Sequence, residues 1–190
     1  MGDAAEDRAK AEALPEGDVV RILLEQHAQV RDLFAEVQNA SADQRQEPFD
    51  RLRALLAVHE TSEELVLRPK AEDSAWKDVA TERNQEEAEA NEVLKHLEEL
   101  DSSSAAFLSA LQSFEKSVDE HAEAEESQEF PRVLEALDED ERHKLGSRLQ
   151  SVQKMAPTHP HPSVAGSTTA QALTGPFAAM VDKVRDALSS

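Results

Sequence analysis

The chain of 190 residues has no cysteine and no tyrosine, one tryptophan and only five glycines. Without cysteine there is no disulfide framework, no thiolate metal ligand and no cysteine nucleophile. Without tyrosine there is no tyrosyl radical. The scarcity of glycine leaves neither a phosphate-cradling loop nor a Gly-x-Ser-x-Gly elbow, which removes nucleotide-binding and serine-hydrolase readings. Positive charge is also in short supply: 20 Lys and Arg stand against 40 Asp and Glu, a formal charge of -20. Binding to nucleic acid or anionic lipid is therefore opposed by like charge. No stretch approaches the roughly 18 apolar residues of a membrane span, and residues 1–10 lack the apolar core of a secretion signal. A soluble, cytoplasmic protein with no nucleic-acid and no membrane partner is the expectation.

What is abundant is Ala, Leu, Glu, Gln and Arg, a helix-forming composition. Residues 1–16 carry no core pattern and read as a flexible acidic tail. From an N-cap at Asp18, residues Val19, Ile22, Leu23, His27, Val30, Phe34 and Val37 follow the 3.6-residue period of a half-buried helix. Ser41 and Gln44 resemble a capping box for a second helix carrying Phe49, Leu52, Leu56, His59, Glu63 and Val66, with Pro69 as its stop. A polar connection around Trp76 leads to a third helix with Ala90, Val93, Leu94, Leu97 and Leu100. Residues 102–104 supply a turn and a new cap. The fourth helix carries Phe107, Leu111, Phe114, Val118, His121, Glu125 and Phe130, ending at Pro131. Residues 133–155 read as one added helix. The fold class is all-α, an antiparallel up-down-up-down four-helix bundle with an extra C-terminal helix and mobile tail. The bundle and added helix span residues 17–155. A Pro/Ser/Thr-rich linker follows at 156–175, where His159 and His161 offer only a weak stray metal site. A short amphipathic helix at 176–190 is expected to dock on the bundle or on a second subunit.

One pattern carries chemistry. His59 to Pro69 reads His-x-x-x-Glu-Glu-x-x-x-x-Pro, and His121 to Pro131 repeats it. Leu52 and Leu56 precede His59 by seven and three residues, as Phe114 and Val118 precede His121. Each histidine thus continues a buried stripe. Residues four apart share a helix face, so His59 with Glu63 and His121 with Glu125 each present an imidazole and a carboxylate toward one point. A buried carboxylate needs a partner or a metal, and imidazole with carboxylate suits iron, manganese or zinc. Glu64 and Glu126 read as solvated groups or as carboxylates orienting a ligand imidazole. His143, in a charged segment, reads as exposed.

The order His27, His59-x-x-x-Glu63, a third-helix ligand, then His121-x-x-x-Glu125, resembles the hemerythrin-like, or HHE cation-binding, domain over roughly residues 17–155. The resemblance implies two non-haem iron ions, oxo- or hydroxo-bridged, with manganese or zinc as substitutes. His27 and His59 would hold one ion, His121 and a third-helix residue the other, and Glu63 and Glu125 would bridge. It further implies a small-molecule ligand, dioxygen, hydrogen peroxide or nitric oxide, handled by a carrier, a sensor or a peroxide-consuming, catalase-like enzyme. Iron storage, delivery or sensing without turnover is the alternative, and a metal-free or zinc-loaded interaction module is a third. Monomer and weak homo-oligomer both stay open.

The departure is in the third helix, where the family pattern has a histidine. Apolar alignment puts Glu87 there, and Glu87 precedes His121 by 34 residues as His27 precedes His59 by 32. Glu86 lies nearer the centre of the apolar stripe and competes with it; His96, about two and a half turns further on, is the remaining candidate. With Glu87 as ligand, three carboxylates lower the residual charge of a diferric pair. That stabilises ferric iron and predicts poor reversible oxygen carriage.

Overall fold

The computed structural model describes residues 2–71 and 77–155. Trp76, the linker at 156–175 with His159 and His161, and the helix expected at 176–190 lie outside the described residues. Helix α1 (Ala4–Glu12) is followed by α2 (Val19–Asn39), α3 (Gln46–Val66), the single turn α4 (Arg68–Ala71) and α5 (Lys77–Glu99). Then come α6 (Ala105–Ala124), a π-helical turn at Glu125–Glu129, α7 (Phe130–Ala136) and α8 (Glu139–Met155). Among the described residues there is no strand, and no helix is long and apolar enough to cross a membrane.

Two apolar clusters define the topology. One joins Leu23 from the start of α2, Val66 from the end of α3, Ala80 from the start of α5 and Phe130 beyond the end of α6. The other joins Phe34 and Val37 from the end of α2, Leu52 from the start of α3, Leu97 from the end of α5 and Phe107 from the start of α6. Starts meeting ends in this alternation require consecutive long helices to run antiparallel. Each fully buried Leu or Phe contributes about 1.5–3 kcal/mol, and the Phe49–Phe107 pair adds an edge-to-face contact at 4.9 Å. Leu145, Leu149 and Val152 of α8 complete the first cluster. Gly146 lets α8 approach that closely, because a Cβ there would collide with the Gly17 carbonyl.

Capping follows side-chain chemistry. Asp18 accepts from Val20 N–H at 2.9 Å and Ser104 from Phe107 N–H at 3.0 Å, as the sequence predicts. The expected capping box fails: Ser41 and Gln44 bond to each other at 2.9 Å in a turn, and α3 begins later with no side-chain cap. Arg45 closes this corner instead, donating to the carbonyls of Val37, Ala40 and Ser102. It thereby ties the end of α2 to the turn before α6.

Four further expectations are corrected. Residues 1–16 are not a loose tail, since α1 packs against α2. Its docking is polar, through buried Asp7 against Arg31 and through Lys10 to Glu126 at 2.8 Å, which a search for apolar periodicity does not register. Neither proline ends its helix. Pro69 sits within α4, after a break at Leu67, and Pro131 sits within the first turn of α7. Proline lacks the N–H for an α-helical bond and crowds the preceding turn; the π turn, in which Phe130 N–H reaches Glu125 O, widens the helix just before it. The added helix is two, because Leu137 turns extended and Asp138 caps α8 by accepting from Glu141 N–H at 2.8 Å. Finally, Val93 is exposed rather than on the buried stripe.

Candidate metal centre

Between the two apolar clusters lies a polar layer to which α2, α3, α5 and α6 each contribute. His27 comes from α2, His59 and Glu63 from α3, Glu87 from α5, His121 from α6, and Glu125 from the first residue of the π turn. All are buried or nearly so, His59 at 4%, Glu63 and Glu125 at 0% exposure. Potential ligand atoms fall into two groups, each mutually within 4.8 Å: His27, His59 and Glu125, and Glu63, Glu87, His121 and Glu125. Glu125 belongs to both. Its Oε2 is 3.2 Å from His27 Nε2 and 3.8 Å from His59 Nε2, while its Oε1 is 3.2 Å from His121 Nε2. Glu63 Oε2 lies 3.5 Å from His59 Nε2.

All three imidazoles aim Nε2 inward and anchor Nδ1 outward. His27 Nδ1 meets Glu126 at 3.0 Å, His59 Nδ1 meets Gln26 at 3.0 Å and His121 Nδ1 meets Glu86 at 2.8 Å. An acceptor at Nδ1 keeps the proton there and leaves the Nε2 lone pair for a metal. Of the three third-helix candidates, Glu87 lies in the cluster, Glu86 stands behind His121, and His96 is exposed. Glu126 takes the orienting place foreseen for it, whereas Glu64 is exposed; His143 is exposed as expected.

Two charged residues in the layer were not foreseen. Arg68 donates to Glu87 at 2.5 Å and to Glu129 at 2.5 Å, and stands 3.8 Å from Glu125. When the two motif copies are aligned on their histidines, Leu67 corresponds to Glu129 and Arg68 to Phe130. The Arg68–Glu129 pair therefore arises where the copies diverge, and an argument from their likeness passes over it. The usable signal was an arginine beside Pro69 in an otherwise apolar run.

Burial and mutual charge set the protonation pattern. Burial opposes charge on Glu125, yet His121, His27 and His59 outweigh it and hold the carboxyl well below its usual range. Burial and repulsion from Glu125 push Glu63 well above that range. Glu87 is raised by burial despite Arg68, and Glu129 likewise. Burial, helped by neighbouring His27 and His121, lowers His59 to about 4, so it is a neutral imidazole at pH 7. For His121 burial is outweighed by Glu125, Glu86 and Glu87, and the ring is raised to about 10. Glu125 and Glu126 likewise raise His27 against its burial.

The donor set fits a metal. His59 Nε2, His121 Nε2, Glu125 Oε1 and both oxygens of Glu63 are buried without a hydrogen bond, and leaving such groups unsatisfied is costly. All point into one small volume. Divalent or trivalent cations in the two donor groups would satisfy them, at the cost of displacing the protons on His27 and His121.

A four-helix bundle with this layer at its middle defines a class of metal-binding helical protein, and sequence comparison specifies it. The hemerythrin HHE cation binding domain matches residues 18–133, and the chain belongs to that family. It is 31% identical over 134 residues to an uncharacterized hemerythrin-like protein of Schizosaccharomyces pombe, covering 69% of this chain and 66% of that one. The chain thus spans just under two thirds of that relative's length. A crystal structure of a hemerythrin HHE cation binding domain-containing protein from Mycobacterium kansasii superposes with a TM-score of 0.67 at 21% identity, covering 87% of this chain and 98% of the other. At that identity the likeness speaks for the fold.

Proposed function

We propose that the polar layer holds two iron ions and that the protein binds or reacts with dioxygen, peroxide or nitric oxide there. The observation carrying this reading is the division of Glu125, one oxygen toward His27 and His59, the other toward His121. One ion would satisfy only one of those groups. His27 and His59 would hold one iron and His121 with Glu87 the other, with Glu63 and Glu125 between them. When bound, such a pair supplies redox equivalents and open coordination positions.

The chain's own residues do the rest. Gln26, Glu86 and Glu126 fix the imidazole tautomers. Arg68 holds Glu87 by one oxygen, leaving its other oxygen for the centre. The guanidinium also revises the charge argument from the sequence. It returns one positive charge to the layer, while Glu129, its carboxyl raised by burial, adds at most one negative. The residual charge of the layer is therefore set by Glu87, Glu129 and Arg68 together.

Iron storage, delivery or sensing is the second reading, and one observation favours it. Arg68 and a protonated His121 compensate the carboxylates without metal, so the metal-free bundle can persist and metal occupancy can act as a signal.

Metal content per chain, measured on protein purified without added metal, tests the dinuclear centre. Two irons per chain and near-ultraviolet absorbance support it; a value near zero across expression conditions removes it. Decay of added peroxide then separates turnover from binding alone.

A further inference from the structure

A cavity of about 700 Å³ extends from the polar layer to the surface between α2, α5 and α6. His27, His59, Glu87 and His121 form its inner end, and its walls are Val30, Phe34, Leu56, Ala90, Val93 and Val118. Dioxygen, nitric oxide and hydrogen peroxide are each close to a water in size, whose share of liquid volume is about 30 Å³. The space is more than an order of magnitude larger. It falls in the range of pockets that enclose small organic molecules, roughly 300–1,000 Å³, and has their construction of apolar walls with a few convergent polar groups.

Charge narrows the ligand class. The lining also carries Asp3, Asp32, Glu89, Glu115 and Glu120, of which Asp32 pairs with Arg8 and Glu120 with Lys116. Arg31, the one Lys or Arg among the described residues of the lining, is already engaged by Asp7, Asp119 and Glu126. An anion would pass these carboxylates, and in the metal-free chain the imidazoles of His27 and His121 at the inner end already face Glu125, Glu126 and Glu86, so like-charge repulsion disfavours it. A neutral molecule pays no such cost and buries apolar surface along the walls.

We infer that this cavity binds a neutral, largely apolar molecule with one polar end, of the alkyl or aryl hydroperoxide class or the matching alcohol, polar end toward His27, His59 and His121. The inference deepens the reading of the centre as a site for small oxidants, by naming a bulkier ligand class, and rests on it for the hydroperoxide's relevance. Occupancy of the cavity itself depends only on the walls.

The experiment uses the full chain, iron-loaded and metal-free, with cumyl alcohol as the neutral probe and 4-isopropylbenzoate as its anionic counterpart, both followed by calorimetry. The expected result in the metal-free chain is binding of the alcohol at least about tenfold tighter than the carboxylate, and the outcomes on the carboxylate are read there. Ala90→Phe, which fills the inner wall, and Val93→Trp, at an exposed position where folding is not at stake, are each expected to weaken the alcohol about tenfold or more. No binding of the alcohol, equal binding of the carboxylate, or unchanged binding in both variants overturns the proposal. Iron content is measured on the same samples. Alcohol binding in a chain that never takes up iron leaves the cavity assignment standing and removes the di-iron reading.

Discussion

Glu126 lies 99 positions after His27 and holds its outer nitrogen: Glu126 Oε1 meets His27 Nδ1 at 3.0 Å, while the adjacent Glu125 meets the opposite nitrogen of the same ring at 3.2 Å. Consecutive residues grip both nitrogens of one imidazole where the π turn begins. Lys10 and Arg31 hold Glu126 in turn, and with His27 they outweigh its partial burial and lower its pKa to about 2. Glu126→Leu is expected to weaken iron binding about 10- to 100-fold by freeing His27 to rotate or change tautomer. Competition with a chelator of known affinity measures it, and unchanged affinity would contradict the orienting role.

Glu125 is shared by both donor groups, so its loss cannot be confined to one. Glu125→Ala is expected to reduce iron to one per chain or fewer, whereas Glu87→Ala leaves the His27 and His59 group intact. Two irons retained in Glu125→Ala would refute the shared-carboxylate arrangement.

Removing Arg68 strands several buried carboxylates. Arg68→Met is expected to destabilise the metal-free protein by about 3–5 kcal/mol, the scale of breaking one side of a buried ion pair. The deficit shrinks on iron loading, because the ions then supply the missing positive charge. Urea midpoints of both forms check this; equal deficits with and without iron would count against Arg68 as a counter-charge.

His121 makes metal-free stability pH-dependent. Its pKa rises from 6.5 to about 10 on folding, so the folded state binds the proton more tightly than the unfolded chain. The stabilisation is complete below about pH 6.5 and is lost as pH climbs through about 10. The raised carboxyls of Glu63, Glu87 and Glu129 act in the same sense but from lower pH, about 4.5 upward. His27, also raised on folding by Glu125 and Glu126, adds to the same limb, so His121→Gln is expected to make it shallower between about pH 6.5 and 10 without abolishing it or the slope below. Thermal midpoints across that range decide; an equally steep alkaline limb in the variant would exclude His121 as its source.

Helix α1 is tested through Asp7, which is 1% exposed and paired with Arg31. Asp7→Ala leaves Arg31 short of a partner and is expected to cost about 3 kcal/mol, with faster amide exchange confined first to α1. Exchange in α1 already at the unprotected rate in the wild type would return this segment to the status of a tail.

The sequence by itself determined the donor types and their level along each rod. Apolar residues flanking His27, His59 and His121 at helical spacing fix which side of each helix faces inward, and the spacing of four then carries Glu63 and Glu125 along. Only the tertiary structure placed Glu87 in the cluster and Glu86 behind His121, brought Arg68 to Glu129, turned Gln26 toward His59 and laid α1 on α2. Periodicity specifies a side chain's direction relative to its own helix axis. A residue on the flank of a stripe, or one docked by charge, is placed by how its neighbours are rotated and how far they slide along the bundle, and those quantities exist only between helices.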